Sequence, residues 1–243
     1  MLSVIIPAYN EEQTLERSIG ELVEAMTSAG FEYELLVVND GSSDGTAQKL
    51  IELEQTYPTL RHITNEHKHG FGHAVRYGLD HYRGDAVAIV MADSSDSPFD
   101  LIAYYEKIRE GYECAFGSRF VAGARVEDYP RFKWVLNRLG NRFTGLLFRQ
   151  RYNDFTNPFK CYRRGVIDRM RPLVSGQFNL AIEMSLKAVT QGVSYAVVPT
   201  SWRNREGGTS KFKVFAQSYL YFLTLFYCLV VTKVGPILDR SAR

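Results

Sequence analysis

Three clusters of polar side chains follow apolar runs in this chain, and their residue types suit the handling of a charged, nucleotide-like ligand. In PAYNE at residues 7–11, the ring of Tyr9 and the carboxylate of Glu11 would hold a nucleoside base by stacking and hydrogen bonding. The alternative is a helix start, with Asn10 as cap and Glu11 and Glu12 in the first turn. In VNDGSSDGT at residues 38–46 the glycines and Asp44 make a tight turn. Asp40, at the end of its run, would accept from a base N–H or a ribose hydroxyl. The third cluster is VMADSSDSPFD at residues 90–100, where a metal corner would present two acids one residue apart. Asp93 is one of them. Met91 stands where the other would be.

The elements that position these residues alternate. LSVIIPA, YELLVVND, LRHIT and DAVAIVMAD read as strands. EEQTLERSIGELVEAMTSAG, GTAQKLIELEQTY and GFGHAVRYGLDHY read as the helices between them, the second capped by Asp44. Continuous apolar strands alternating with helices predict an α/β domain, a mostly parallel sheet covered on both faces. Ligands of such sheets bind beyond the carboxyl ends of the strands. Asn10, Glu11, Asn39, Asp40 and Asp93 all fall there. Further on, the pattern predicts a helix over DLIAYYEKIREG, a strand over YECAFGSRF and a basic helical region at about 129–151. A helix over LAIEMSLKAVTQG, a strand over SYAVVPTSW and a polar loop, RNREGGTSK, complete the domain. The stretch NDFTNPFKCYRR fits no simple pattern.

The chain of 243 residues is 45% apolar and 23% charged, ordinary for a globular protein. Cys114, Cys161 and Cys228 form no CxxC pair, which argues for a reducing compartment and against structural zinc. MLSVIIPAYN reads as a strand and not a signal peptide. A net charge of +2 conceals an asymmetry: residues 1–100 hold 17 Asp/Glu and 6 Lys/Arg, and the remainder 10 and 23. So basic a second half suggests a phosphate-bearing or anionic-membrane partner. No nucleic-acid-binding motif is present, so no nucleic acid is expected. Between Lys213 and Lys233 lie nineteen uncharged residues, interrupted by Gln217, Ser218 and Thr224 and carrying Tyr219, Tyr221 and Tyr227. A helix lying in the membrane surface fits best, with a spanning helix and a core or dimer helix as alternatives. The expected division is a domain at 1–212 and an apolar helix and tail at 213–243.

PAYNE, VVNDGSSDGT, HGFGHAVRYGL, MADSSDSP and GSR, in that order, resemble the family 2 glycosyltransferases of the GT-A (nucleotide-diphospho-sugar transferase) fold. DFTNPFKCYRR and R-x-x-G-x-S-K at Arg205 to Lys211 narrow the resemblance to the polyprenyl-phosphate sugar synthases, the dolichol-phosphate mannose synthase group. It covers about residues 2–212. It implies inverting transfer of a sugar from a nucleotide-sugar (GDP-mannose or a UDP-sugar) to a polyprenyl phosphate, dolichyl or undecaprenyl, with Mg²⁺ or Mn²⁺. The expected place is the cytoplasmic side of a membrane, peripheral or shallowly inserted. By the same resemblance Pro7, Tyr9, Glu11, Asp40 and Ala92 contact the nucleotide, and Gly70, Gly72 and Ala74 form the loop below it. Arg119 of GSR, Arg205, Ser210 and Lys211 act on the phosphates. Arg131 or Lys133 supplies a second positive group; spacing does not choose between them. Asp93 keeps the position of the acid that reaches the metal. Asp96, in the turn before Pro98, is the expected partner, since hard cations held by one or two carboxylates, phosphates and waters need no adjacent acids.

Physical chemistry points the same way. Charge on a departing nucleoside diphosphate requires cations around it. A hydroxyl acceptor requires a general base, whereas a phosphate monoester, with a second pKa of about 6, is already mostly dianionic at neutral pH. The chain offers many cations to position one: Arg119, Arg125, Arg131, Lys133, Arg138, Arg142, Arg149 and Arg151. The rival enzyme would glycosylate a sugar or protein hydroxyl with Glu183 or Asp154 as base. A nucleotide-binding protein without activity is the non-enzymatic rival, motivated by Met91. A pyrophosphorylase would need a basic glycine-rich loop where the acidic PAYNEE stands. His67, His69 and His73 suggest a metal-binding helix by spacing, but a turn glycine interrupts them.

Overall fold

The computed structural model describes residues 1–203 and 214–233. In chain order the first elements are β1 (Leu2–Ala8), α1 (Leu15–Ser28), β2 (Tyr33–Asn39), α2 (Thr46–Thr56), β3 (Leu60–Thr64), α3 (Phe71–His81), β4 (Ala86–Ile89) and α4 (Pro98–Arg109). Then come β5 (Cys114–Ser118), β6 (Arg125–Glu127), α5 (Arg131–Phe148), β7 (Lys160–Arg163), α6 (Arg164–Arg169), α7 (Leu180–Thr190), β8 (Tyr195–Pro199), β9 (Ser201–Arg203) and α8 (Val214–Lys233). Seven strands form one sheet in the order β3-β2-β1-β4-β7-β5-β8. All neighbours are parallel except β7, which runs antiparallel to both β4 and β5. A small parallel pair, β6 with β9, lies apart from it.

Both faces of the central strands β1 and β2 are buried, because these strands are mostly apolar and their few polar side chains, such as Ser3 and Glu34, are buried too. Leu2, Val4, Ile6 and Ala8 of β1, with Leu35 and Val37 of β2, face α1, α2 and α4. Ile5, Leu36 and Val38 face the other way, toward α3 and α7. That alternation is the two-residue period of a strand acting on both layers. The last helix, α8, packs against α7 and puts Leu225 and Cys228 into the same core.

Two departures from the expected elements affect the site. β7 was not anticipated: its four residues include the buried Lys160, which breaks the apolar run that marks β1 or β2. Likewise α1 begins at Leu15, not near Glu11. Asn10 adopts a left-handed conformation (φ 52°) and accepts from the Ser43 amide at 2.8 Å, while the Glu11 amide donates to Thr46 Oγ1 at 2.9 Å. Residues 10–14 are therefore tied to the 42–46 turn, and the helix-start reading of PAYNE does not hold.

Candidate active site

Four of the residues expected to contact a nucleotide, Pro7, Tyr9, Glu11 and Asp40, gather toward the carboxyl ends of β1 and β2. Pro7 is buried within β1, and Tyr9 leaves the strand with 46% of its surface exposed. Glu11 accepts from the Thr14 hydroxyl at 2.9 Å. Asp40 is buried beneath them, accepting from the Gly70 amide at 2.6 Å and Asn65 Nδ2 at 2.8 Å, with His69 Nδ1 at 3.4 Å. It thereby fixes the loop before α3. Gly70 and Gly72 have no room for a side chain: a Cβ on either would strike the 175–177 segment. Ala74, one turn into α3, is buried in the core. The three histidines do not converge. His69 faces Asp40, and His73 packs against Gly176 with its imidazole pKa lowered by burial and by neighbouring cations.

The acidic corner follows β4, beside the end of β1. Ala92, Asp93 and Asp96 are all nearly buried. Asp93 accepts from the Ser95 amide at 3.1 Å, and Ser94 holds a left-handed φ of 54° to close that turn. Asp96 reaches back to the position that lacks an acid: its Oδ2 accepts from the Met91 amide at 3.3 Å. A backbone bridge joins Asp96 to Trp202, and the Arg203 amide donates to Ser95 O at 3.1 Å, so β9 roofs the turn. Burial, and then the charge of Asp93, pushes the Asp96 carboxyl up to about 7. A buried carboxylate whose proton affinity is raised by burial and by a second carboxylate beside it suits a site for a cation shared between the two. Among the described residues no group of three or more His, Cys, Asp or Glu could hold a metal ion. The pair therefore fits Mg²⁺ or Mn²⁺ only with phosphate and water oxygens completing the shell.

Arg119, just after β5, is 9% exposed and bound bidentately by Asp154, with Nε and the terminal NH2 donating at 2.9 and 2.7 Å. Burial works against its charge, but Asp154 holds the guanidinium protonated. Asp154 is itself fully buried, with both oxygens engaged. It cannot serve as a base toward an acceptor. Nor can Glu183, which is fully buried on α7 and paired with Lys187 at 2.8 Å. Both candidate bases of the hydroxyl-transfer alternative thus prove structural, and for Glu183 the signal was present as an i, i+4 Glu–Lys spacing.

Cations and aromatic rings meet at the head of α5. A cleft of about 530 Å³ is lined by Val126, Asp128, Tyr129, Arg131, Trp134 and Val135. Lys133 does not line it, which separates the two cations that spacing left equal. Tyr129 lies under the Arg119 guanidinium at 5.8 Å and edge-on to Trp202 at 4.9 Å, linking the cleft to the acidic corner. Neither Tyr129 nor Trp202 stood out in the sequence, where isolated aromatics carry no pattern. Beyond the cleft α5 exposes Phe132, Leu136, Leu139, Phe143 and Leu146, and α8 exposes Tyr219, Phe222, Leu223, Phe226 and Val231. Among the described residues no helix is long and apolar enough to cross a membrane, so the spanning alternative for 214–232 finds no support. Arg205, Ser210 and Lys211 lie outside the described residues.

Residues 3–171 match the family model described as Glycosyl transferase family 2. Polyprenol monophosphomannose synthase of Mycolicibacterium smegmatis is 32% identical over 214 residues, covering 86% of this chain and 79% of that protein. Dolichol-phosphate mannosyltransferase of Pyrococcus furiosus is 31% identical over 87% of this chain, which spans 59% of that longer relative. Glucosyl-3-phosphoglycerate synthase from Mycobacterium tuberculosis, solved with Mn²⁺, UDP-glucose and phosphoglyceric acid, superposes with a TM-score of 0.74. The match has 16% identity and covers 94% of this chain and 79% of that one. At that identity the structural likeness speaks for the fold, which is GT-A.

Proposed function

This chain belongs to glycosyl transferase family 2 and is a glycosyltransferase, and from that premise we propose that it transfers a sugar, with inversion, from a nucleotide-sugar to a polyprenyl phosphate. The names of its relatives support the acceptor class. The observation that carries the reading is the cleft of Arg131, Tyr129 and Trp134, which opens beside Arg119 on a helix with an exposed apolar face. A lipid bearing a phosphate matches both properties: cations position the head, and the apolar face meets the chain or the surface it lies in.

Pro7, Tyr9, Glu11, Asp40 and Ala92 would bind the nucleotide, with the Tyr9 ring, 46% exposed, as the stacking surface. Asp93 and Asp96 would hold Mg²⁺ or Mn²⁺, which when bound neutralises charge on the diphosphate leaving group. Arg119, fixed by Asp154, presents a permanent positive charge toward the phosphates without reorganising. Arg205, Ser210 and Lys211 would complete that field. The acceptor oxygen is already anionic, so the chain's task is to orient it and exclude water. We place the protein at the cytoplasmic face of a membrane, lying on it through α5 and α8.

Among the described residues that line the cleft the carboxylate is Asp128, a candidate base for hydroxyl transfer. Incubating the protein with detergent-dispersed polyprenyl phosphate, Mn²⁺ or Mg²⁺ and a panel of labelled GDP- and UDP-sugars tests the reading. A lipid-soluble product labile to mild acid is expected, and Asp128→Asn should still form it. No lipid product with any donor would overturn the proposal.

A further inference from the structure

Glu183 is buried too deeply to meet a substrate, yet it anchors the segment that backs the nucleotide side of the site. Its carboxylate accepts from the Val174 and Ser175 amides at 2.9 and 2.7 Å and from Lys187 Nζ at 2.8 Å. Lys187 also donates to Pro172 O at 2.5 Å and contacts Tyr227 OH at 3.3 Å, so the segment is tied to α8. A second tie runs through Asn179, which donates to Thr224 Oγ1 of α8 at 2.8 Å and accepts from the Gln177 amide at 3.2 Å. Ser175 Oγ is 3.4 Å from the same threonine oxygen. Ser175, Asn179, Glu183, Lys187 and Thr224 are all buried, where a satisfied polar network holds its members rigidly.

The other edge of the segment presses on the loop beneath Asp40. Gly176 O accepts from the His73 amide at 3.2 Å, and a Cβ on Gly72 would lie 2.6 Å from the Gly176 carbonyl carbon. Phe178 stacks on Phe71 at 4.6 Å, with the rings nearly parallel. Gly70, whose amide donates to Asp40, abuts the Gln177 side chain. An unbroken set of contacts thus runs from the apolar helix to the nucleotide floor.

We propose that Glu183 and Thr224 are positioning residues that hold the 172–179 segment against Gly70 and Gly72, so that seating of α8 sets affinity for the donor's nucleoside diphosphate. The inference rests on the donor reading above and gives the last helix a role beyond contact with lipid. Mutations along such a path change coupling by roughly 0.5–2 kcal/mol, which is about 2- to 30-fold in affinity.

The test is calorimetric titration of the full chain with GDP and with UDP in Mn²⁺, paired with steady-state kinetics and thermal midpoints. Thr224→Val and Glu183→Gln should weaken binding of whichever nucleotide the wild type takes, by roughly 5-fold or more. The donor KM should rise in step, while turnover at saturating donor and the KM for the lipid phosphate stay close to wild type. Thr224→Ser should restore affinity. If Thr224→Val does not fold, Gln177→Ala, whose side chain abuts Gly70, should show the same split. Unchanged nucleotide affinity in these variants, or loss of turnover at saturating donor in Glu183→Gln, would overturn the inference while leaving the donor reading intact. A wild type that binds neither nucleotide would overturn both.

Discussion

The two halves of this molecule use charge in opposite ways. In the first, Asp40, Asp93 and Asp96 are nearly buried, and each is pinned by backbone amides: those of Gly70, Ser95 and Met91. In the second, Arg131, Arg138 and Arg142 stand exposed on α5 among Phe132, Leu139 and Phe143. Buried, amide-bound carboxylates form a rigid site that accepts one geometry. Exposed cations mixed with apolar side chains form a broad face that tolerates a fluid, anionic partner. Arg119 stands between them, a basic side chain that the buried Asp154 carboxylate holds as rigidly as the acids are held. The contrast suggests where precision matters and where total charge and apolar area matter.

The largest effect should come from the rigid half. Asp93→Asn should leave the fold intact and lower transfer by on the order of 10³-fold, read as labelled lipid product per minute. A variant within a few-fold of wild type would break the contrast. On the fluid half single changes should matter less. Replacing Phe222 and Phe226 together with serine should weaken sedimentation with anionic vesicles by roughly 10- to 100-fold while turnover on a detergent-dispersed short-chain acceptor persists. Unchanged vesicle binding would show that α8 does not meet the surface.

The smallest effect is the part of the pH dependence that comes from Asp96 in the acidic corner. With Asp96 raised from 3.8 to about 7, the folded chain keeps a proton that the unfolded chain has lost. The Asp96 contribution to stability should therefore fall as pH rises from about 4 to about 7. For a chain of this size each kcal/mol is about 2–4 °C in Tm. Mn²⁺ with a nucleoside diphosphate should offset the fall, more at about pH 8 than at about pH 5, because protons compete with the cation for Asp96. Asp96→Asn should remove that part of the profile, as read in the difference between variant and wild type, and shrink the metal's effect. A profile unchanged by that substitution would remove Asp96 from the site.

Legibility in the sequence followed the range of the interactions. β1 and β2 were plain because each is a local apolar run, and the sheet followed from their alternation with helices. The site residues could be placed at strand ends for the same reason. What escaped were pairings distant in sequence: Asn10 with Ser43, Arg119 with Asp154, Trp202 with Asp96. β7 escaped because Lys160 sits inside it, its amine held by Asn157 O and its pKa lowered by burial to about 7. No local pattern announces a strand with a buried lysine.

The central claim is that the acceptor is a phosphate, oriented by cations without a base. Its most direct measurement compares polyprenyl phosphate with the corresponding polyprenol under one donor and one metal. The account predicts lipid-linked sugar from the phosphate and none from the alcohol, across a pH range in which the phosphate stays dianionic. Transfer to the alcohol at a comparable rate would contradict it.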